Sequence, residues 1–486
     1  MTDTNASPLE LSEKELRAMV ERATREVVRH VASLPNQPMH ATGGGKKLAR
    51  SLRERLPRSG VDFERLVGQL FGTVIPRSFN TASPGYLAYI PGGGLLHSAV
   101  ADFIADAVNR YVGVWLAAPG LAQLESNVVE WFCEIVGYPR APRPGGLLTT
   151  GGSMANLIAV VTARENTLGE DFSRGVVYVS DQAHHSVMKA ARFAGLRADQ
   201  VRVIGTDARF RMRVADLRKA IASDVRSKKA PFLIVAAAGT TNTGAIDSLA
   251  ALADLAAKKK MWLHVDAAYG GFFALTERGS RALAGIARAD SIALDPHKSL
   301  FLPYGTGSLL VRDAEKLRRA HAMHASYLPP MQDDVDCTDF CDLGPELSRD
   351  FRGLRVWLPL KMHGADAFRD ALDEKLDLAR DACEAVRAMP HVEIVAEPQL
   401  SLFAFRIGPA CGESGAALDA LNRRLLREIN RRQRVFITGT TLAGRFVLRA
   451  CILSFRTHAD RIAMFVEDVR AAIARLGLEG APAKRR

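Results

Sequence analysis

PFLIVAAAGTTNTG (231–244), MWLHVDAAYGG (261–271) and SIALDPHK (291–298) share one pattern, a short unbroken apolar run that ends in polar or ionisable residues. Working outward, GVVYVS (175–180), QVRVIG (200–205) and GSLLVRD (307–313) have the same texture, and longer segments with helical spacing separate them. Continuous apolar strands alternating with helices predict a parallel sheet covered on both faces. The fold class expected is α/β, a doubly wound, mostly parallel sheet. In front of it, residues 9–34 space their apolar side chains as an amphipathic helix. A Gly43-Gly44-Gly45-Lys46-Lys47 stretch then reads as a flexible linker, because it lacks the spacing of a phosphate loop. Behind the sheet, a long helical segment (355–389) and the short runs VEIVA and SLFAFRI predict a small α+β C-terminal domain. The expected organisation is a helical interface segment over 1–95, a large domain over 96–355 and a small domain over 356–486.

The 486 residues, 48% hydrophobic and 24% charged, match a globular protein and exclude disorder, collagen and a disulfide scaffold. The longest nearly uncharged apolar run, Pro231 to Ala238, is far short of the roughly 20 residues of a membrane span. The opening MTDTNASPLELSEKEL lacks the basic and apolar blocks of a secretory signal. Six cysteines without a C-x-x-C pair suit a reduced, cytoplasmic setting. The net charge of +12 raises the question of nucleic acid, but the arginines are dispersed and no aromatic-laced patch or recognition motif accompanies them. No nucleic-acid or membrane partner is expected.

Ligands of open parallel sheets bind at the carboxyl ends of the strands. Four successive strand ends here carry Asp181-Gln182-Ala183-His184-His185, Gly239-Thr240-Thr241-Asn242, Asp266-Ala267-Ala268-Tyr269 and Asp295-Pro296-His297-Lys298, which implies one polar site. Upstream, Thr149-Thr150-Gly151-Gly152-Ser153 leads into a helical segment, where small residues let backbone N–H groups approach an anion. Taken singly, each feature has a plainer reading: a turn and cap at Gly152, a structural hydrogen bond for Asp266, a surface lysine for Lys298. Adjacent His184 and His185 point to opposite faces of an extended segment, and no third ligand accompanies His321 and His324, so no metal is expected. Together, an anion cup, a carboxylate, an imidazole and a strand-end lysine meet the needs of pyridoxal 5′-phosphate.

HVDAAYGG, and then D-P-H-K-S-L beginning 29 residues after Asp266, resembles the group II pyridoxal-phosphate-dependent amino acid decarboxylases of aromatic-L-amino-acid decarboxylase type. The resemblance extends through SPGYLAYIPGGG (83–94), WLAAPGLAQLESNVVEWF (115–132), TTGGSMANL (149–157), SDQAHHSVMKAA (180–191), ELSRDFRGLRVW (346–357) and ILSFRTHADRI (452–462). It implies fold type I, the aspartate aminotransferase-like architecture, and a homodimer with the active site at the interface. By the same resemblance, Lys298 is the Schiff-base lysine, Asp266 pairs with the pyridinium nitrogen, Ala268 lies against the ring, and His184 stacks over it and orients the substrate carboxylate. Gly151, Gly152 and Ser153 form the phosphate cradle, and Thr241, Asp295 and His297 complete the cofactor-binding set. Tyr327, 29 residues after Lys298, matches the mobile-loop tyrosine that protonates the α-carbon. Tyr89, Ile90, Pro91 and Gly92 fall in the substrate pocket, with Tyr111 and Ser348 where the second subunit contributes.

Four positions depart from the aromatic decarboxylases. Asp295 replaces an asparagine and Ser299 a tryptophan, neither expected to touch the core chemistry. Thr81 replaces a pocket tryptophan and Gly113 a pocket phenylalanine, which predicts a less aromatic wall. The implied activity is decarboxylation of an aromatic L-amino acid to its amine. Glutamate or 2,4-diaminobutyrate is the alternative substrate, and an aldehyde synthase the alternative outcome. An aminotransferase or a non-enzymatic scaffold fits the motifs less well.

Overall fold

In the computed structural model, the described residues are 7, 9–323, 334 and 336–478. Seven strands form the main sheet: β1 (Gly145–Thr149), β2 (Gly175–Ser180), β3 (Val201–Ile204), β4 (Ala230–Ala237), β5 (Trp262–Asp266), β6 (Ser291–Leu294) and β7 (Gly307–Val311). Their spatial order is β1-β7-β6-β5-β4-β2-β3. The five strands from β3 to β6 run parallel, while β7 is antiparallel to both β6 and β1. The sheet is thus mostly parallel, as the apolar runs predict, with one reversed strand that they do not announce. Helices cover both faces, so β2, β6 and β7 are buried along their whole length.

Register places the site. Ala237 pairs with Asp266, and Asp266 with Ala293, so β4, β5 and β6 end at one level and their polar successors emerge side by side. The Gly152–Thr167 helix begins at the same edge, after β1, and packs across the strands.

The first helix, Glu13–Ser33, is opened by a capping box in which Ser12 and Glu15 satisfy each other's backbone N–H groups. Of the expected 43–47 linker, residues 45–47 begin a short helix, Gly45–Ser51. The Leu96–Val108 helix leaves Val100, Phe103, Ile104 and Val108 exposed, an apolar stripe outside the core. The long helical run predicted over 355–389 is observed as Gly353–Arg387, broken at Gly364, where φ is 74°. It leads into a four-stranded antiparallel sheet, β10-β11-β9-β8, made of β8 (Val392–Ala396), β9 (Leu402–Ile407), β10 (Thr438–Leu442) and β11 (Arg445–Cys451). The rings of Phe403, Phe405 and Phe465 centre its core. Among the described residues no helix is long and apolar enough to cross a membrane.

Candidate active site

A cavity of about 370 Å³ opens at the carboxyl ends of the parallel strands. Gly151, Gly152 and Ser153 line it from the start of the Gly152–Thr167 helix, His184 from the loop after β2, and Thr241 from the loop after β4. Asp266 and Ala268 line it from β5, and Asp295, His297 and Lys298 from the turn after β6. Ten residues expected to meet the cofactor therefore face one space.

The Asp266 carboxylate is held on both oxygens. Asn156 Nδ2 donates to Oδ2 at 3.0 Å and the Ala268 amide to Oδ1 at 3.2 Å. Behind it lies a buried polar chain absent from the sequence reading. Trp262 Nε1 donates to Ser291 Oγ (2.9 Å), Ser291 Oγ meets His264 Nδ1 (2.8 Å), and His264 Nε2 meets Asn156 Oδ1 (2.9 Å). Since Asn156 Oδ1 is only an acceptor, the His264 proton sits on Nε2 and Nδ1 accepts from Ser291. Burial pushes the His264 imidazole down to about 4, so it is neutral near pH 7.

The same logic fixes His184. Ser186 Oγ accepts from Asn156 Nδ2 at 2.9 Å, and its own proton goes to His184 Nδ1 at 2.7 Å. The Ser186 amide also points at that nitrogen, 3.4 Å away. His184 therefore carries its proton on Nε2. Burial lowers its titration against the opposing pull of the Asp266 carboxylate.

Lys298 Nζ lies 2.9 Å from Asp295 Oδ2. Burial works against the ammonium, but the Asp295 carboxylate outweighs it and raises the titration above the ordinary lysine value. Asp295 Oδ1 accepts the Gly152 amide at 2.6 Å. The expectation that Asp295 does not touch the core chemistry is therefore corrected: a carboxylate one turn before a lysine on a tight turn reaches that lysine's amine. Ser299 does sit apart, donating to the Tyr269 carbonyl at 2.8 Å. His297 Nδ1 donates to the Thr306 carbonyl at 2.6 Å, and its ring faces Tyr304.

Tyr89, Ile90, Pro91, Tyr111 and Ser348 do not line this cavity within one chain. The 89–94 segment nevertheless crosses the lysine turn so closely that a Cβ on Gly92 would lie 2.1 Å from the His297 carbonyl oxygen. Arg449, buried and without a carboxylate partner among the described residues, ties this segment to the site by donating to the Tyr89 carbonyl (2.9 Å) and the Thr241 carbonyl (2.7 Å). Tyr111 donates to the Leu347 carbonyl, next to exposed Ser348. Its ring lies over Gly113, where a Cβ would meet the hydroxyl oxygen at 2.5 Å. The side chain missing at Gly113 is thus replaced by an aromatic ring from two residues away. Thr81 lines a separate groove of about 720 Å³ with Phe71 and Phe79. Tyr327 lies outside the described residues.

Residues 46–408 match the family described as "Pyridoxal-dependent decarboxylase conserved domain". This chain belongs to that family. It is 36% identical over 464 residues to an aromatic-L-amino-acid decarboxylase of Bacillus atrophaeus, covering 95% of this chain and 96% of the relative. It is 29% identical over 420 residues to a phenylacetaldehyde synthase of Arabidopsis thaliana, covering 82% and 85%. A crystal structure of an Oryza sativa enzyme abbreviated TDC, with PLP and tryptamine, superposes with a TM-score of 0.92 at 27% identity, covering 97% of this chain and 99% of that one. The protein is a pyridoxal-phosphate-dependent amino acid decarboxylase, a carboxy-lyase. Its cavity suits the cofactor: small residues at a helix start, a carboxylate held by two donors, and one amine at the rim.

Proposed function

We propose that this decarboxylase acts on an aromatic L-amino acid and releases the corresponding amine. Carrying the proposal is one observation: Lys298, Asp266 and His184 share one strand-end cavity in a chain 36% identical along 95% of its length to an aromatic-L-amino-acid decarboxylase.

When bound, pyridoxal 5′-phosphate supplies an electron-accepting ring that lets the bond from Cα to the carboxylate break. The chain's own groups do the rest. Lys298, whose Nζ faces the cavity 2.9 Å from Asp295 Oδ2, is the residue that would hold the cofactor through its aldehyde carbon. The Asp266 carboxylate, fixed by Asn156 and the Ala268 amide, would hold a proton on the cofactor's ring nitrogen, with Ala268 as a support for the ring. His184, with its proton on Nε2, offers a donor to the substrate carboxylate. Gly151, Gly152 and Ser153 hold the phosphate, with Thr241, Asp295 and His297 around them. Tyr327 returns a proton to the α-carbon.

The expected assembly is a homodimer. The exposed apolar stripe on the Leu96–Val108 helix and the exposure of Tyr111 and Ser348 support this reading, in which those two residues serve the partner's pocket. We assign 1–95, 96–355 and 356–486 as interface segment, cofactor domain and small domain, and a cytoplasmic location. A second reading, aldehyde formation with peroxide, draws on the phenylacetaldehyde synthase relative. Assay of a panel comprising tryptophan, tyrosine, phenylalanine, histidine, glutamate and 2,4-diaminobutyrate, with products identified by mass spectrometry, tests both points. We expect kcat/KM to favour an aromatic substrate by about tenfold or more, a difference of 1.4 kcal/mol in transition-state binding, with amine as product. Preference for glutamate or 2,4-diaminobutyrate, or stoichiometric aldehyde and peroxide, overturns the proposal.

A further inference from the structure

Asp295, a residue 2% exposed, reaches the cofactor cup from the end of β6. One oxygen accepts the Gly152 amide at 2.6 Å and the other lies 2.9 Å from Lys298 Nζ. A Cβ on Gly152 would sit 3.0 Å from Asp295 Oδ2, so the carboxylate lies directly against the first turn of the 16-residue helix that opens the cup. His297 is 3.7 Å away and spends its Nδ1 proton on the Thr306 carbonyl, so Lys298 is the cation that balances Asp295. One buried carboxylate therefore holds both the amide that a phosphate needs and the amine that an aldehyde needs. A single N–H cannot serve two anions, and two anions within about 4 Å in a partly dry site repel each other strongly.

We propose that Asp295 is a competing anion built into the cofactor site, which must yield the Gly152 amide when the phosphate enters. Cofactor affinity is then set by an exchange of anions at one helix start. An Asp295 carboxylate displaced from the cup would hold Lys298 less firmly, so that the ammonium could more readily lose its proton to solvent in the open cavity. This inference rests on the cofactor site and is independent of which amino acid is processed.

Titration calorimetry on protein stripped of cofactor tests it, with 4-deoxypyridoxine 5′-phosphate, which has ring and phosphate but no aldehyde to react with Lys298. The unphosphorylated 4-deoxypyridoxine is the control. Asp295→Asn keeps an oxygen for the Gly152 amide and removes the charge; Asp295→Ala removes both. We expect both variants to bind the phosphorylated ligand about tenfold or more tightly than the unaltered protein, while affinity for the unphosphorylated ligand changes by less than about threefold. Equal or weaker binding of the phosphorylated ligand by Asp295→Asn overturns the proposal, because the carboxylate would then be a favourable or indifferent contact. A similar gain for both ligands overturns it too, since Asp295 would be acting on the ring. If neither ligand binds any of the three proteins, the cofactor site itself is wrongly placed and the proposal falls with it. The substrate assignment, in contrast, fails only in the amino-acid panel.

Discussion

Replacing Asn156 with alanine removes three hydrogen bonds: its donations to Asp266 Oδ2 at 3.0 Å and to Ser186 Oγ at 2.9 Å, and its acceptance from His264 Nε2 at 2.9 Å. A bond to a charged acceptor is worth about 1.5–3 kcal/mol, and a buried N–H left without a partner costs about 1–3 kcal/mol. The adjoining cavity lets water reach the Asp266 side but not His264, which is fully buried. We therefore expect a loss near the lower half of the sum, about 2.5–4 kcal/mol, with the stranded imidazole N–H a main part of it. Chemical denaturation of the cofactor-stripped protein, at one fixed concentration, measures it. The decisive comparison is the same substitution in a His264→Ala background, where no N–H is stranded. There the cost of Asn156→Ala should fall by about 1–2 kcal/mol. Equal costs in the two backgrounds, or a loss under about 0.5 kcal/mol in the first, would refute the assigned tautomer and the chain of bonds behind Asp266.

Three further outcomes follow from the same geometry. His264 titrates near 4 when folded and near 6.5 when unfolded, so below 6.5 the unfolded chain binds more protons. Stability should be complete above pH 6.5 and decline by roughly 3 kcal/mol as pH falls to about 4, with the decline reduced in His264→Asn; a flat profile through that window contradicts it. Gly92→Ala places a Cβ 2.1 Å from the His297 carbonyl and 3.0 Å from that of Lys298, so it should lower the melting temperature and weaken cofactor retention, whereas Gly60→Ala, with nothing within 4 Å, should do neither. Ser186→Ala removes the donor to His184 Nδ1 and should raise KM for the substrate more than it changes cofactor absorbance; unchanged steady-state kinetics would separate His184 orientation from Ser186.

The sheet and the position of the site were legible because both depend on short-range pattern. Apolar runs that are buried on both faces look alike wherever they sit, and the residues that follow them must emerge at the sheet edge. That same sameness hid the direction of β7, since GSLLVRD reads identically parallel or antiparallel. Strand β10 is hard to read because Thr438, Gly439 and Thr440 interrupt the apolar pattern, and its one strand partner among the described residues is β11, itself held between β10 and β9. The Asn156–His264 chain was invisible for a different reason. His264 and Asp266 share a strand face by their spacing of two, a signal that was available, but Asn156 and Ser186 arrive from helices whose orientation no local pattern specifies. Asp295 was read by its kind and not by its reach: only the turn geometry shows that its carboxylate spans Gly152 and Lys298.

The most direct test of the central claim is to reduce the cofactor-loaded enzyme with borohydride, digest it and locate the pyridoxyl group by mass spectrometry. We expect the label on Lys298 in near-stoichiometric yield, with visible absorbance and decarboxylation both lost in Lys298→Ala. A label on another lysine, or full activity in Lys298→Ala, would contradict the site described here.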